Sequence, residues 1–201
     1  MPDAETTCVY QFKIVLRDVS PMVWRRLHLR SDQTIADLHY AIQIAMNWND
    51  QHLHCFRIYG KDYGVAHIGG ISFSDDAKRV SLGSFRFRIR ERFLYEYDFY
   101  DQWVHEIRLE KKLPLSTKRI YPVCVGGAHL SPPEDCGGSP CLHGEHRSAL
   151  ARVVGQAASK GIPKCHGGLE AVLRTSRRKH PCGRWRDIVS RRYGLGRASK
   201  T

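Results

Sequence analysis

From Tyr10 to Arg17 the chain alternates. Tyr10, Phe12, Ile14 and Leu16 fall on one side and Gln11, Lys13 and Arg17 on the other, the period-two pattern of a strand with one buried face. The turn residues DVSP at 18–21 follow, and residues 23–29 return with Val23, Leu27 and Leu29 opposed to Trp24, Arg26 and His28, which predicts an opening hairpin. Thr34 precedes Asp37 in capping-box spacing. Ile35, Leu38, Ile42, Ala45 and Met46 then recur at helical intervals, so a helix is expected over 34–48. HLHCFRIY at 52–59 alternates again as a strand, and Gly60, Gly64, Gly69 and Gly70 break the chain into a loop that runs to about Ser84. Arg86, Arg88, Arg90 and Arg92 interleave with Phe85, Phe87 and Ile89, which predicts another strand with a solvated arginine face.

The next pair of strands carries most of the aromatic content. Phe93, Tyr95, Tyr97 and Phe99 share one face, and Trp103, His105, Ile107 and Leu109 share a face of the strand that follows. A two-residue turn at Asp101-Gln102 would mismatch the apolar faces. A three-residue loop at 100–102 instead sets Phe99 against Trp103, Tyr97 against His105 and Tyr95 against Ile107. These patterns predict a single α+β domain over 8–138, a mostly antiparallel, curved sheet packed against the helix at 34–48.

Charge changes this picture only at the end of the chain. The formal net charge is +12, but residues 1–136 hold 18 Lys+Arg against 17 Asp+Glu, whereas residues 137–201 hold 14 against 3. Residues 139–201 therefore read as a basic, divergent, poorly packed tail. Three readings of it stay open: a DNA-contacting arm, a solvated disordered segment, or a frame-shifted extension. No apolar run reaches the 18 or more residues of a membrane span, and the opening MPDAETTCVY is acidic. Together these predict a cytoplasmic protein with no membrane partner. The seven cysteines form no close, even framework, so they are expected to stay reduced.

Several groups could carry chemistry. In PPEDCGG (132–138) a stiff Pro-Pro entry and a Gly-Gly exit shape a loop bearing Glu134 and Asp135, carboxylates able to ligate a metal or position water. If that loop folds back on the aromatic hairpin, Asp98, Asp101 and His105 would join them in a constellation suited to a divalent metal. The predicted register opposes this in part, because it buries His105 and turns Asp98 to the other face. Cys124 and Cys136 are a further pair of zinc ligands to consider, although the spacing C-x11-C-x4-C through Cys141 matches no finger pattern. His39, His52 and His54 read as a polar seam where helix meets strand, with His52 and His54 on one strand face. Walker, Rossmann and nucleophile-elbow strings are absent.

The blocks PMVWRRLHL, LHYAIQIAMNWNDQHLHCFRIYG, YEYDFYDQWVHEIRLE and PPEDCGG, in this order over about 9–138, resemble the plasmid pRiA4b ORF-3-like family. Members of that family also carry a "TnpR resolvase" label as passengers of insertion elements. The resemblance implies a compact α+β domain and a setting on plasmids and mobile elements. Two departures stand out. Tyr100 occupies the hairpin-loop position where the family usually has Gly, which would place any left-handed backbone on a tyrosine. After PPEDCGG the family usually continues Gly-Tyr and an acidic helix, whereas this chain continues SPCLHGEHRSALARVVGQAASKG. Serine-resolvase chemistry is not expected, since the one Arg-Val-Ser string, Arg79 to Ser81, lies mid-chain and is followed by Leu-Gly. The leading expectation is a non-enzymatic accessory protein that recognises a protein or nucleic-acid partner. The rivals are a metal-dependent hydrolase or nuclease on Asp98, Asp101, His105, Glu134 and Asp135, and DNA binding through the tail.

Overall fold

The opening hairpin forms from strands β1 (Cys8–Leu16) and β2 (Trp24–Arg30), with Phe12 opposite Leu27 and Tyr10 opposite Leu29. This pairing comes from a computed structural model that describes residues 7–64, 73 and 75–139. The alternation read from the sequence is the burial pattern: Tyr10, Phe12, Ile14 and Leu16 are buried while Gln11 and Lys13 are not. Helix α1 (Ile35–Met46) starts at a complete capping box. The Thr34 hydroxyl accepts from the Asp37 amide, and the Asp37 carboxylate accepts from the Thr34 amide. The helix ends at Asn47, whose left-handed backbone (φ 59°) returns its N–H to the last carbonyls.

Beyond the helix lie β3 (His54–Ile58), β4 (Lys61–Gly64), the short β5 (Asp75–Asp76), β6 (Arg92–Tyr97), β7 (Trp103–Pro114) and β8 (Val123–Ala128). They build one eight-stranded sheet in the order β5-β4-β3-β6-β7-β1-β2-β8. Every pairing is antiparallel except β4 with β5. This is the mostly antiparallel α+β architecture with one α-helix among the described residues. Trp103, Tyr95, Tyr97, Phe12 and Phe56 are fully buried, each stabilising the fold by about 1.5–3 kcal/mol through removal of apolar surface from water. No described helix is long and apolar enough to cross a membrane.

Three local expectations are corrected. The arginine-rich stretch is not a strand: it holds a 3-10 helix (Leu82–Phe85) and irregular chain, and β6 starts only at Arg92. Phe85, Phe87 and Phe93 stack on one another there (centroids 5.1 and 4.9 Å), so their aromatic spacing is satisfied without a ladder. The β6–β7 register is displaced by two residues from the predicted one. Tyr97 faces Trp103, Tyr95 faces His105 and Phe93 faces Ile107, so the loop spans 98–102. The shared faces survive because a shift of two preserves the pleat. The left-handed positions of that loop are Asp98 (φ 56°) and Gln102 (φ 53°), not Tyr100, whose side chain is almost wholly exposed. Ser81 lies at the start of the 3-10 helix, bridging to Thr34, a structural position over the helix N-terminus. The expectations for the basic tail, with its DNA contact, fall outside the described residues.

Candidate metal centre

Three chain segments meet at one end of the sheet: the turn 47–52 after α1, the β6–β7 loop 98–102, and the loop 132–138. The fold-back of the last loop is specified by polar groups. Tyr97 donates its hydroxyl to Glu134, the Asn49 amide donates to the same carboxylate at 2.8 Å, and the Gly137 amide donates to Asp101 at 2.9 Å. Both neighbouring indoles donate to the loop as well, Trp48 to the Pro132 carbonyl (2.9 Å) and Trp103 to the Glu134 carbonyl (3.1 Å). Gly138 closes the contact: its φ is +76°, and a Cβ there would sit 2.4 Å from the Asp101 carbonyl oxygen.

This docking divides the five sequence candidates. Glu134 is buried and occupied by the Tyr97 and Asn49 donors. Asp101 is buried and occupied by Gly137. Burial, and next the Glu134 carboxylate, hold the Tyr97 phenol well above its ordinary pKa, so it stays a proton donor. His105 is fully buried on β7 between Trp48 and Tyr95 (5.4 and 5.2 Å between centroids). Its Nδ1 contacts the Trp103 carbonyl at 3.1 Å, and its Nε2 has no hydrogen-bond partner. Burial pushes its pKa down to about 4, against a smaller opposing effect of backbone carbonyls. It is a neutral core residue.

Asp98 and Asp135 do come together, around His52, one of the three histidines of the expected polar seam. His52 Nε2 lies 2.7 Å from Asp135 Oδ1 and 3.7 Å from Asp98 Oδ2. The three ligand atoms all lie within 4.8 Å of one another. Asp98 is aimed by its own backbone: Oδ1 accepts from the Tyr100 and Asp101 amides (3.0 and 3.3 Å), which leaves Oδ2 facing His52. The Asp98 amide bonds the Leu53 carbonyl, tying the loop to the start of β3. Side-chain exposure runs from 6% at Asp98 through 31% at His52 to 69% at Asp135, so the set opens to solvent on the Asp135 side. One imidazole and two carboxylates suit a hard-to-borderline divalent cation and leave coordination positions for water or substrate. The segments 47–53, 98–103 and 132–138 contain no Lys or Arg to compete for the carboxylates.

The strand expected from residue 52 starts only at His54, so His52 lies just before β3, and the two histidines enter different clusters. The signal of His52 was accessible only through sheet pairing. His54 stands opposite Tyr97 in the β3–β6 ladder, which brings the residues just before β3 beside those just after β6.

His54 belongs to a second cluster, with His39 and Asp50. Here the rings stack, with centroids 3.5 Å apart and planes at 11°. A metal bound by an imidazole nitrogen lies in the plane of the ring, and two stacked, near-parallel planes share no such point, so these two histidines do not chelate one ion as they stand. The cluster forms a closed polar circuit instead. The Asp50 amide donates to Gln43 Oε1 (3.2 Å) and Gln43 Nε2 donates to the Tyr95 oxygen (3.0 Å). Tyr95 lies 2.8 Å from His39 Nδ1, and His39 Nε2 lies 2.8 Å from Asp50. Burial holds Tyr95 far above its ordinary pKa, so its hydroxyl donates to Nδ1 and the Nε2 proton faces the carboxylate. Cys124 lies on β8 with its thiol on the Gly126 carbonyl (3.4 Å), and Cys136 lies in the docked loop. Neither belongs to a three-ligand cluster among the described residues.

The chain is similar to proteins whose descriptions assign no activity. It is 34% identical over 158 residues to the uncharacterized protein y4hQ of Sinorhizobium fredii (strain NBRC 101917 / NGR234), covering 78% of this chain and 80% of that one. It superposes on the crystal structure of MM3350, a protein of unknown function from Methanosarcina mazei Go1, with a TM-score of 0.63 and 33% identity, covering 73% of this chain and 82% of that one. The sequence profile of the plasmid pRiA4b ORF-3-like protein matches residues 8–150, past the boundary at 138 drawn from the sequence blocks. The chain belongs to the plasmid pRiA4b ORF-3-like protein family.

Proposed function

We propose that His52, Asp98 and Asp135 bind one divalent cation and that the protein uses it for metal-assisted hydrolysis. The observation that carries this reading is the convergence of three ligand atoms from distant segments, one of them on a solvent-facing loop. An accessory binding role would not require Asp98 and Asp135 to meet over an imidazole. Held by His52, Asp98 and Asp135, a divalent cation would supply Lewis-acid chemistry for activating water. Asp98, held by two backbone amides, would be the fixed ligand, and Asp135, exposed on its loop, would be the one nearest solvent.

The test is isothermal titration of the full chain with Mn²⁺ and Zn²⁺, followed by turnover of chromogenic ester and phosphodiester substrates with each metal. Loss of a group that merely orients a metal ligand typically weakens metal binding by about 10–100-fold, so His52→Ala and Asp98→Asn, which remove ligands themselves, are expected to weaken it by at least about 10-fold. Binding unaffected by either substitution would place the metal elsewhere. Metal binding without turnover of any substrate would reduce the site to a structural ion.

A further inference from the structure

The face of the sheet opposite the buried aromatic set carries a row of cations that register pairing lines up across four adjacent strands. Arg92 on β6 is opposite Arg108 on β7, Arg108 is opposite Lys13 on β1, and Lys13 is opposite Arg26 on β2. Like charges directly opposite one another destabilise a sheet, so three consecutive oppositions call for a counter-charge. The ends of the row have one: Arg92 pairs with Glu106 at 3.3 Å, and Arg26 is held by both oxygens of Glu110 at 2.6 and 3.1 Å. In the middle, Lys13 feels the Glu110 carboxylate only at longer range, and no described carboxylate forms an ion pair with Lys13 or Arg108. Beside the row stands Trp24, half-buried, with Lys13 and Arg26 over its ring at 5.2 and 5.0 Å.

We propose that this face binds the sugar-phosphate backbone of single-stranded nucleic acid, with Lys13 and Arg108 as its central phosphate contacts. Neighbouring strands lie about 4.8 Å apart, so the row is a track of about 14 Å that follows one backbone. Its four strands are flanked by others on both sides. A face that broad cannot enter a duplex major groove about 12 Å wide, whereas an open sheet face with a cationic track and an indole beside it is the kind of surface on which unpaired strands are held. The inference is independent of the metal centre, which none of these residues touches.

The test is fluorescence anisotropy of the full chain with a labelled oligothymidylate of about 15 nucleotides, measured between roughly 50 and 200 mM salt. The Lys13→Gln/Arg108→Gln double variant keeps most of the aliphatic stems and relieves the opposed charges, so its thermal midpoint should not fall below that of the parent. Each lost phosphate contact reduces the single-strand salt slope by about 0.7, so the slope should drop by about 1.4. Affinity should fall by more than about 10-fold at low salt. Lys61→Gln, at an exposed position of β4 away from the row, should change neither. Equal affinity and slope for the double variant, with its near-ultraviolet circular dichroism intact, would overturn the proposal by placing the contacts elsewhere, including on residues 140–201. Preferential competition by duplex of the same length, or by anionic vesicles, would overturn it too. If the double variant does not fold, Arg108→Gln alone carries the test, with an expected slope change of about 0.7.

Discussion

His105 makes stability depend on pH in a window that can be calculated. Its imidazole is fully buried and its pKa is pushed down to about 4, against an ordinary 6.5. Between those values the unfolded chain binds a proton that the folded chain refuses, so stability rises with pH and falls as the solution is acidified. Relative to neutral pH the loss is about 1 kcal/mol at pH 5.5 and about 2 kcal/mol at pH 4.5, levelling near 3 kcal/mol below pH 4. Other groups titrate over the same range, so the useful quantity is the difference between the parent and His105→Phe. Phenylalanine keeps a flat ring between Trp48 and Tyr95 and gives up the imidazole's interactions with the Trp103 and Tyr95 carbonyls. Its loss of stability at neutral pH should therefore be modest and should shrink, then reverse, as the pH falls. Urea denaturation of both chains at half-unit steps from pH 4.5 to 7.5 measures this. Parallel stability curves across that range would refute the account, because they would mean that folding does not exclude the proton from residue 105.

Two further outcomes concern the docked loop and the helix. Glu134→Ala strands the buried Tyr97 hydroxyl and removes the acceptor of the Asn49 amide, and should cost about 1–3 kcal/mol; a double-mutant cycle with Tyr97→Phe should be strongly non-additive, and additive effects would show that the two groups do not share one interaction. Thr34→Ala removes half of the capping box and should cost about 1 kcal/mol, read as a fall in thermal midpoint of about 2–8 °C; an unchanged midpoint would deny the cap a role in stability.

The sequence specified the elements better than the meeting places. The strands β1 and β2 and the start of α1 were legible because period-two burial and the Thr34–Asp37 box are local signals. Between β6 and β7 the pattern fixed which residues share a face but not which stand opposite. Alternation is indifferent to a shift of two, and the left-handed backbone at Asp98 and Gln102 that decided the loop length leaves no trace in hydrophobicity. Phe85 and Phe87 imitated a strand because stacked rings can satisfy the same spacing. β8 was not foreseen: VCVGGA is too glycine-rich to advertise a strand, and its pairing is supplied by β2. At the site, Asp98 and Asp135 could be nominated as carboxylates on shaped loops. Their joining to His52 depends on β3–β6 pairing and on the Glu134–Tyr97 anchor, which are long-range contacts.

The docking of residues 132–138 under two indoles gives the protein an optical gauge of its own. Two of its four tryptophans, Trp48 and Trp103, release their N–H groups to water only if that segment lifts away. Their emission should therefore shift to the red whenever the third side of the candidate centre detaches, even while the sheet beneath stays intact. Any detachment of that segment would thus be read by stopped flow with no label attached.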